Sequence, residues 1–141
     1  MKKEKIDFPE KVIWSGKRTI VESDINYANH MGNERILVWA DDIRNNVLES
    51  IGWTMESFES GSGVIVANHT IVYQSEGFLG DRINIEVGID YLTEYSFDMV
   101  IRLKKEGASR NFIIMRTGVV CFDYESRKIA AIPERFLSQL S

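Results

Sequence analysis

The chain has 141 residues, a length that fits one domain and excludes a two-domain enzyme with a separate cofactor module. Hydrophobic residues make up 44% and charged residues 27%, and only two prolines interrupt the chain, which excludes a disordered or low-complexity sequence. A formal net charge of -4 leaves no basic footprint for phosphate backbones, so nucleic acid is not an expected partner. The single cysteine, Cys121, cannot close an intramolecular disulfide, and two histidines do not make a ligand set for structural zinc. The cytoplasm is therefore the expected compartment. The opening MKKEKIDFPEK lacks the apolar core of a signal peptide, and no apolar run approaches the ~20 residues of a membrane span, so neither export nor a membrane partner is expected.

In chain order, a first strand is predicted over Val12 to Glu22, followed by one long helix from Asn33 to Ile51. There Ile36, Ala40, Ile43, Val47 and Ile51 recur every three or four positions, Leu37, Trp39 and Leu48 widen the stripe, and Gly52 stands where a left-handed cap belongs. After a loop from Glu59 to Gly63 the period drops to two, and Val64 to Tyr73, Ile83 to Tyr91, Phe97 to Leu103 and Asn111 to Tyr124 read as consecutive antiparallel strands. Pro133 precedes a short terminal helix. One helix and about five antiparallel strands predict an α+β layer architecture in residues 1–141, the helix covering one face of a curved sheet.

The segment SDINYANHMGNER, Ser23 to Arg35, holds the densest group of polar residues with chemical potential. Asn29 and Asn33 are suited to cap the helix, and Gly32 lets a ligand approach the backbone. Free amides and the positive end of the helix dipole would suit an anion or a polarised carbonyl, with His30 and Glu34 beside them as acid/base groups. On spacing alone, Asp24, Asn26, Asn29 and Asn33 could equally do no more than cap the helix and close a turn. His69 lies in phase with Ile65, Ala67, Ile71 and Tyr73, which favours a hydrogen-bonded core histidine over one aimed into a site. Cys121, in the apolar run VVCF, is expected to pack and not to react. Arg82, Arg102, Lys104, Lys105 and Arg110 are read as solvated surface, and none is named as a site.

SDINYANHMGNERILVWADDIR resembles the strand-to-helix signature of hotdog-fold acyl-CoA thioesterases of the 4-hydroxybenzoyl-CoA thioesterase type, which reads Asp-x-Asp-x-x-Gly-His-Val-Asn-Asn-x-x-Tyr; Asp24, His30 and Asn33 match. IVYQSEGFLGD, Ile71 to Asp81, resembles the family's strand and Gly-Asp turn, and GVVCFDYESRKIAAIPERF, Gly118 to Phe136, its last strand and Pro-Glu tail. The resemblance implies a hotdog fold, a long central helix wrapped by an antiparallel sheet, dimerising so that acyl-thioester sites lie between subunits, as a dimer or a dimer of dimers. It implies that backbone amides around Gly32 and Asn33 polarise the thioester carbonyl, with Asp24 and Asn29 among the substrate-binding residues.

Asn26 stands where many of these enzymes carry a catalytic aspartate, and an amide is neither nucleophile nor base at pH 7. His30 also resembles the histidine of plant acyl-carrier-protein thioesterases, but that motif's nearby asparagine aligns with Ala28, leaving the displaced Asn29. The expected catalytic set is thus Asn26 positioning substrate or water, with His30 or Glu34 as general base for direct attack of water, without metal or redox cofactor. The expected activity is hydrolysis of an acyl-CoA or acyl-carrier-protein thioester. Two alternatives stay open: dehydration of a hydroxyacyl chain, and an acyl-thioester binding module without catalysis.

Overall fold

Alternation of apolar and polar residues makes strands that bury one face, and a computed structural model describing residues 1–141 arranges them around the one long helix. The elements are β1 (Trp14–Thr19), α1 (Arg35–Ser50), α2 (Met55–Glu59), β2 (Gly63–Tyr73), β3 (Arg82–Asp90), β4 (Ser96–Lys105), β5 (Asn111–Asp123), β6 (Lys128–Ile129) and α3 (Glu134–Leu140). The main path of the sheet runs β1-β3-β4-β5-β2, every pair antiparallel, with the two-residue β6 added to the end of β5. This is the hotdog arrangement: a curled antiparallel sheet and one long helix against its inner face.

The helix stripe and the inward strand residues meet in one core. Ile36, Trp39, Ala40, Ile43 and Val47 of α1 share it with Ile83, Ile85 and Val87 of β3, Phe97, Met99, Ile101 and Leu103 of β4, and Ile113, Met115 and Val119 of β5. Burial of each large side chain stabilises by roughly 1.5–3 kcal/mol, so tertiary packing and not intrinsic propensity holds α1. Cys121 lies in the same core, fully buried, and burial pushes its thiol up from the ordinary value, as a packing residue requires. On the outer face, Ile6 packs with Val100 and Ile114, and Arg102 lies 4.0 Å from the Phe8 ring centroid. The first residues thus run across the back of the sheet.

Several predicted details are corrected. The helix begins at Arg35, not Asn33, and neither Asn29 nor Asn33 caps it: the capping position is Glu34, in helical conformation and without a side-chain cap bond. Leu37 is 41% exposed and stands outside the stripe. His69 is hydrogen-bonded as expected, its Nδ1 2.8 Å from the Thr117 hydroxyl, but it is not buried in the core; it is exposed on β2, the sheet's edge strand. Periodicity missed α2 and β6, whose five and two residues are too short to repeat. No helix is long and apolar enough to cross a membrane.

At the far end of α1, Trp53 is 1% exposed, stacks on Phe136 of α3 at 4.7 Å, and donates from Nε1 to the Ser62 carbonyl at 2.6 Å. It ties the helix exit, the following loop and the C-terminal helix together. Trp53→Ala is expected to cost about 3–5 kcal/mol in urea unfolding, by cavity formation and loss of the stack.

Candidate active site

Between a single 3-10 turn at Glu22–Asp24 and the start of α1, the chain makes a tight loop whose shape is set by Asp24. Its carboxylate is 1% exposed: Oδ2 accepts from the Val21 N–H at 3.0 Å, and Oδ1 accepts from Arg35 Nε and Trp39 Nε1, each at 3.1 Å. Burial alone would push this carboxyl up, but the bonds from Val21, Trp39 and Arg35, with the Arg35 charge, outweigh it and hold it below the ordinary value. Every oxygen of this carboxylate is occupied by the protein, so Asp24 fixes the loop to the helix and offers nothing to a ligand.

The Asp24 carbonyl accepts the Gly32 N–H at 2.9 Å, and the Met31 N–H donates to Gly77 at 2.7 Å. The Gly32 amide is therefore spent. Arg35 N–H donates back to the Gly32 carbonyl, whereas the amides of Asn33 and Glu34 have no acceptor within the chain. They are free donors at the positive end of a 16-residue helix, whereas the Gly32 amide of the expected pair is not.

The predicted acid/base residues flank these amides. His30 is half-buried, and its Nδ1 lies 2.9 Å from the Met31 carbonyl, which can only accept. A neutral imidazole in that bond carries its proton on Nδ1 and leaves Nε2 with a free lone pair. Gly32 has its own part here: a Cβ at that position would stand 2.5 Å from Glu34 Oε1, so the missing side chain lets the Glu34 carboxylate fold back over the loop. Tyr73, at the end of β2, donates from its hydroxyl to the Asn33 carbonyl at 2.7 Å. Burial raises its phenol from the ordinary value, and the Glu34 charge raises it further.

A cavity of about 280 Å³ opens there, lined by His30, Met31, Gly32 and Asn33 on one side and by Tyr73, the loop Gln74–Gly77, Phe112 and Ile113 on the other. Of the predicted residues, the structure thus brings His30, Gly32 and Asn33 onto one wall, with Glu34 beside them. Asn26 and Asn29 stand off it. Asn26 Oδ1 accepts from the Ala28 N–H at 3.0 Å, and its backbone exchanges bonds with Asn29 and His30, so it shapes the turn that carries the histidine. Asn29 has φ 66°, a left-handed conformation that asparagine tolerates and for which the resembling motif uses glycine. Tyr73 and the Gln74–Gly77 loop went unassigned in the sequence, although IVYQSEGFLGD already marked that stretch. Lys105, read as surface, contacts Asp81 at 3.3 Å and braces the same loop through the Glu76 carbonyl. No group of three or more histidine, cysteine, aspartate or glutamate side chains is gathered in a way that could hold a metal ion.

Residues 21–140 match the thioesterase-like superfamily. The chain belongs to that family. It is a hotdog-fold thioesterase, and solved structures agree on the fold. A 1,4-dihydroxy-2-naphthoyl-CoA thioesterase from Synechocystis superposes with a TM-score of 0.80 at 16% identity, covering 89% of this chain and 93% of that one. A Staphylococcus aureus protein solved in complex with CoA gives 0.85 at 19% identity, covering 96% and 85%. A gentisyl-coenzyme A thioesterase gives 0.81 at 17% identity, covering 91% and 100%. Among curated proteins, none matches in sequence.

Asp24→Ala is expected to cost about 3–5 kcal/mol, because it leaves the Arg35 charge and the Trp39 N–H without their buried partner. Since the folded carboxyl is depressed, its contribution is complete above the unfolded value near 3.8 and is lost as pH falls through the lower folded value. Urea titrations across that range should therefore show the gap between the native chain and Asp24→Ala closing as the solution is acidified.

Proposed function

We propose that the protein hydrolyses acyl-CoA thioesters by direct attack of water, with the thioester carbonyl held at the start of α1. The observation that carries this reading is the pair of unpartnered amides at Asn33, which lines the cavity with His30, and at the adjacent Glu34. The carbonyl oxygen accepts from these N–H groups, and the helix dipole favours the negative charge that develops on it. His30 Nε2 takes a proton from water as the water oxygen bonds to the carbonyl carbon. The Glu34 carboxylate, folded over Gly32, favours the imidazolium that results. The tetrahedral intermediate then collapses with cleavage of the C–S bond, the imidazolium returns its proton to the departing thiolate, and free thiol and a carboxylic acid leave. Asn26 contributes by holding the turn, not by touching the reacting atoms.

The names of the Synechocystis enzyme and the gentisyl-coenzyme A thioesterase, and the CoA bound to the Staphylococcus protein, support coenzyme A as the thiol carrier. We further propose a cytoplasmic homodimer. β2 is an eleven-residue edge strand, Gly63 to Tyr73, without a charged residue or proline, and an unprotected edge of that length is a template for a second copy. Pairing there would bring the partner up against the cavity side of Tyr73. Sedimentation at micromolar concentration should give a dimer; a monomer that still turns over substrate would refute the shared edge as part of the enzyme.

Thiol release from short, medium, long and aromatic acyl-CoAs tests the activity. The native chain should turn over at least one class, with His30→Ala slower by about 10²–10⁴-fold. Gly32→Ala should lower kcat by crowding the Glu34 carboxylate, and Glu34→Gln should reproduce part of that loss at unchanged fold. Full activity in both His30→Ala and Glu34→Ala would overturn the assignment. Saturable binding of a non-hydrolysable thioester, with no turnover by the native chain, would instead make the protein an acyl-thioester binding module.

A further inference from the structure

Lys105 breaks the pattern of its strand. The inward positions of β4 are Phe97, Met99, Ile101 and Leu103, all buried, and the next one, opposite the buried Ile83 of β3, holds a lysine. Its side chain is 29% exposed and its ammonium is taken up by the loop that follows β2. It donates to the Glu76 carbonyl, lies 3.3 Å from Asp81 Oδ2, and stands 5.2 and 5.8 Å from the ring centroids of Phe78 and Phe112. Asp81 Oδ2 also accepts the Phe78 N–H at 2.9 Å, so one carboxylate and one ammonium close the segment from Glu76 to Asp81. No other side chain from outside residues 74–81 hydrogen-bonds to this loop, which is otherwise held by main-chain bonds.

The braced loop is the one that holds the histidine. Glu76 is followed by Gly77, whose carbonyl accepts the Met31 N–H at 2.7 Å, and the Met31 carbonyl in turn lies 2.9 Å from His30 Nδ1. Met31 is 5% exposed, so both bonds pass through one buried residue. Glu76, Gly77 and Phe112, all reached from Lys105 directly or through one peptide, line the same cavity as His30. An unbroken series of contacts therefore runs from the end of β4 to the imidazole.

Resting on the hydrolysis reading above, we propose that Lys105 is a positioning residue: by holding the Glu76–Gly77 peptide it sets Met31, whose carbonyl keeps the His30 proton on Nδ1 and leaves Nε2 free to accept. Lys105 touches neither the substrate nor the reacting atoms. Methionine at the same inward position would fill similar space, yet it would leave the Glu76 carbonyl and the Asp81 carboxylate without their cation.

The direct readout is the imidazole nitrogen NMR spectrum, in which only two histidines need assignment and His69→Leu removes one of them. At a pH where His30 is neutral, the native chain should show the Nδ1–H tautomer alone. Lys105→Met should show a mixture with the Nε2–H form, and Lys105→Arg, which keeps the cation, should restore most of the native pattern. Toward the best acyl-CoA, Lys105→Met should lower kcat by about tenfold or more and change KM less. In a His30→Ala background the same substitution should have no further effect, whereas a merely structural lysine would slow both backgrounds alike. An unchanged tautomer in Lys105→Met, or equal losses in both backgrounds, overturns the proposal. If Lys105→Met fails to fold by circular dichroism, Asp81→Asn, which removes the charge that holds the ammonium, replaces it with the same expected directions. A tautomer change in Lys105→Met, in a chain that turns over no thioester, supports the positioning and refutes hydrolysis. Turnover by a chain whose tautomer Lys105→Met leaves unmoved refutes the positioning alone.

Discussion

The rest of the site depends on the Asp24 carboxylate. It takes the Val21 N–H, the Arg35 guanidinium and the Trp39 indole at 3.0 to 3.1 Å, so a residue before the loop, a residue in the first turn of α1 and a residue in its second are locked to one buried charge. Its own carbonyl then takes the Gly32 N–H. These bonds close the loop between the anchors, and in that closure the Asn33 and Glu34 amides are without internal acceptors. A helix start that met a capping side chain would have satisfied such donors; here the fold withholds one, and Asn33 lies on the wall of a cavity.

The sheet supplies the opposite wall. β2 and β5 are paired over ten residue pairs from Gly63↔Phe122 to Tyr73↔Ile113, which carries Tyr73, Phe112 and Ile113 to the same end as the helix start. Gly77 belongs to this fit: a Cβ there would stand 2.6 Å from Ile20 and 2.7 Å from Phe112, so only glycine lets its carbonyl reach the Met31 N–H. Strand pairing thus positions one half of the cavity and the buried carboxylate the other. The Tyr73 hydroxyl on the Asn33 carbonyl joins the two halves.

Much of this was legible in the residues. The three- and four-residue stripe from Ile36 to Val47 and the alternation from Ile83 to Ile89 required a helix on a sheet, because only those periods bury the apolar side chains together. The polar run around His30 marked the site because nothing else in the chain concentrates such groups. The division of labour within it was not legible. Asp24 reads as a ligand-binding residue until Trp39, fifteen positions later, is seen to bond it, and Gly32 reads as a free amide until the Asp24 carbonyl is found against it. His69 reads as core because it shares a phase with Ile71, but phase does not tell a central strand from an edge, and β2 is an edge.

The central claim is that the Asn33 and Glu34 amides hold the thioester carbonyl. Its most direct test is backbone amide NMR of the protein titrated with an acyl-CoA analogue in which a ketone replaces the thioester. The account predicts saturable downfield shifts of the Asn33 and Glu34 N–H signals, while the Gly32 signal, already bonded to Asp24, stays near its unbound position. Saturable binding that leaves Asn33 and Glu34 unmoved would contradict it.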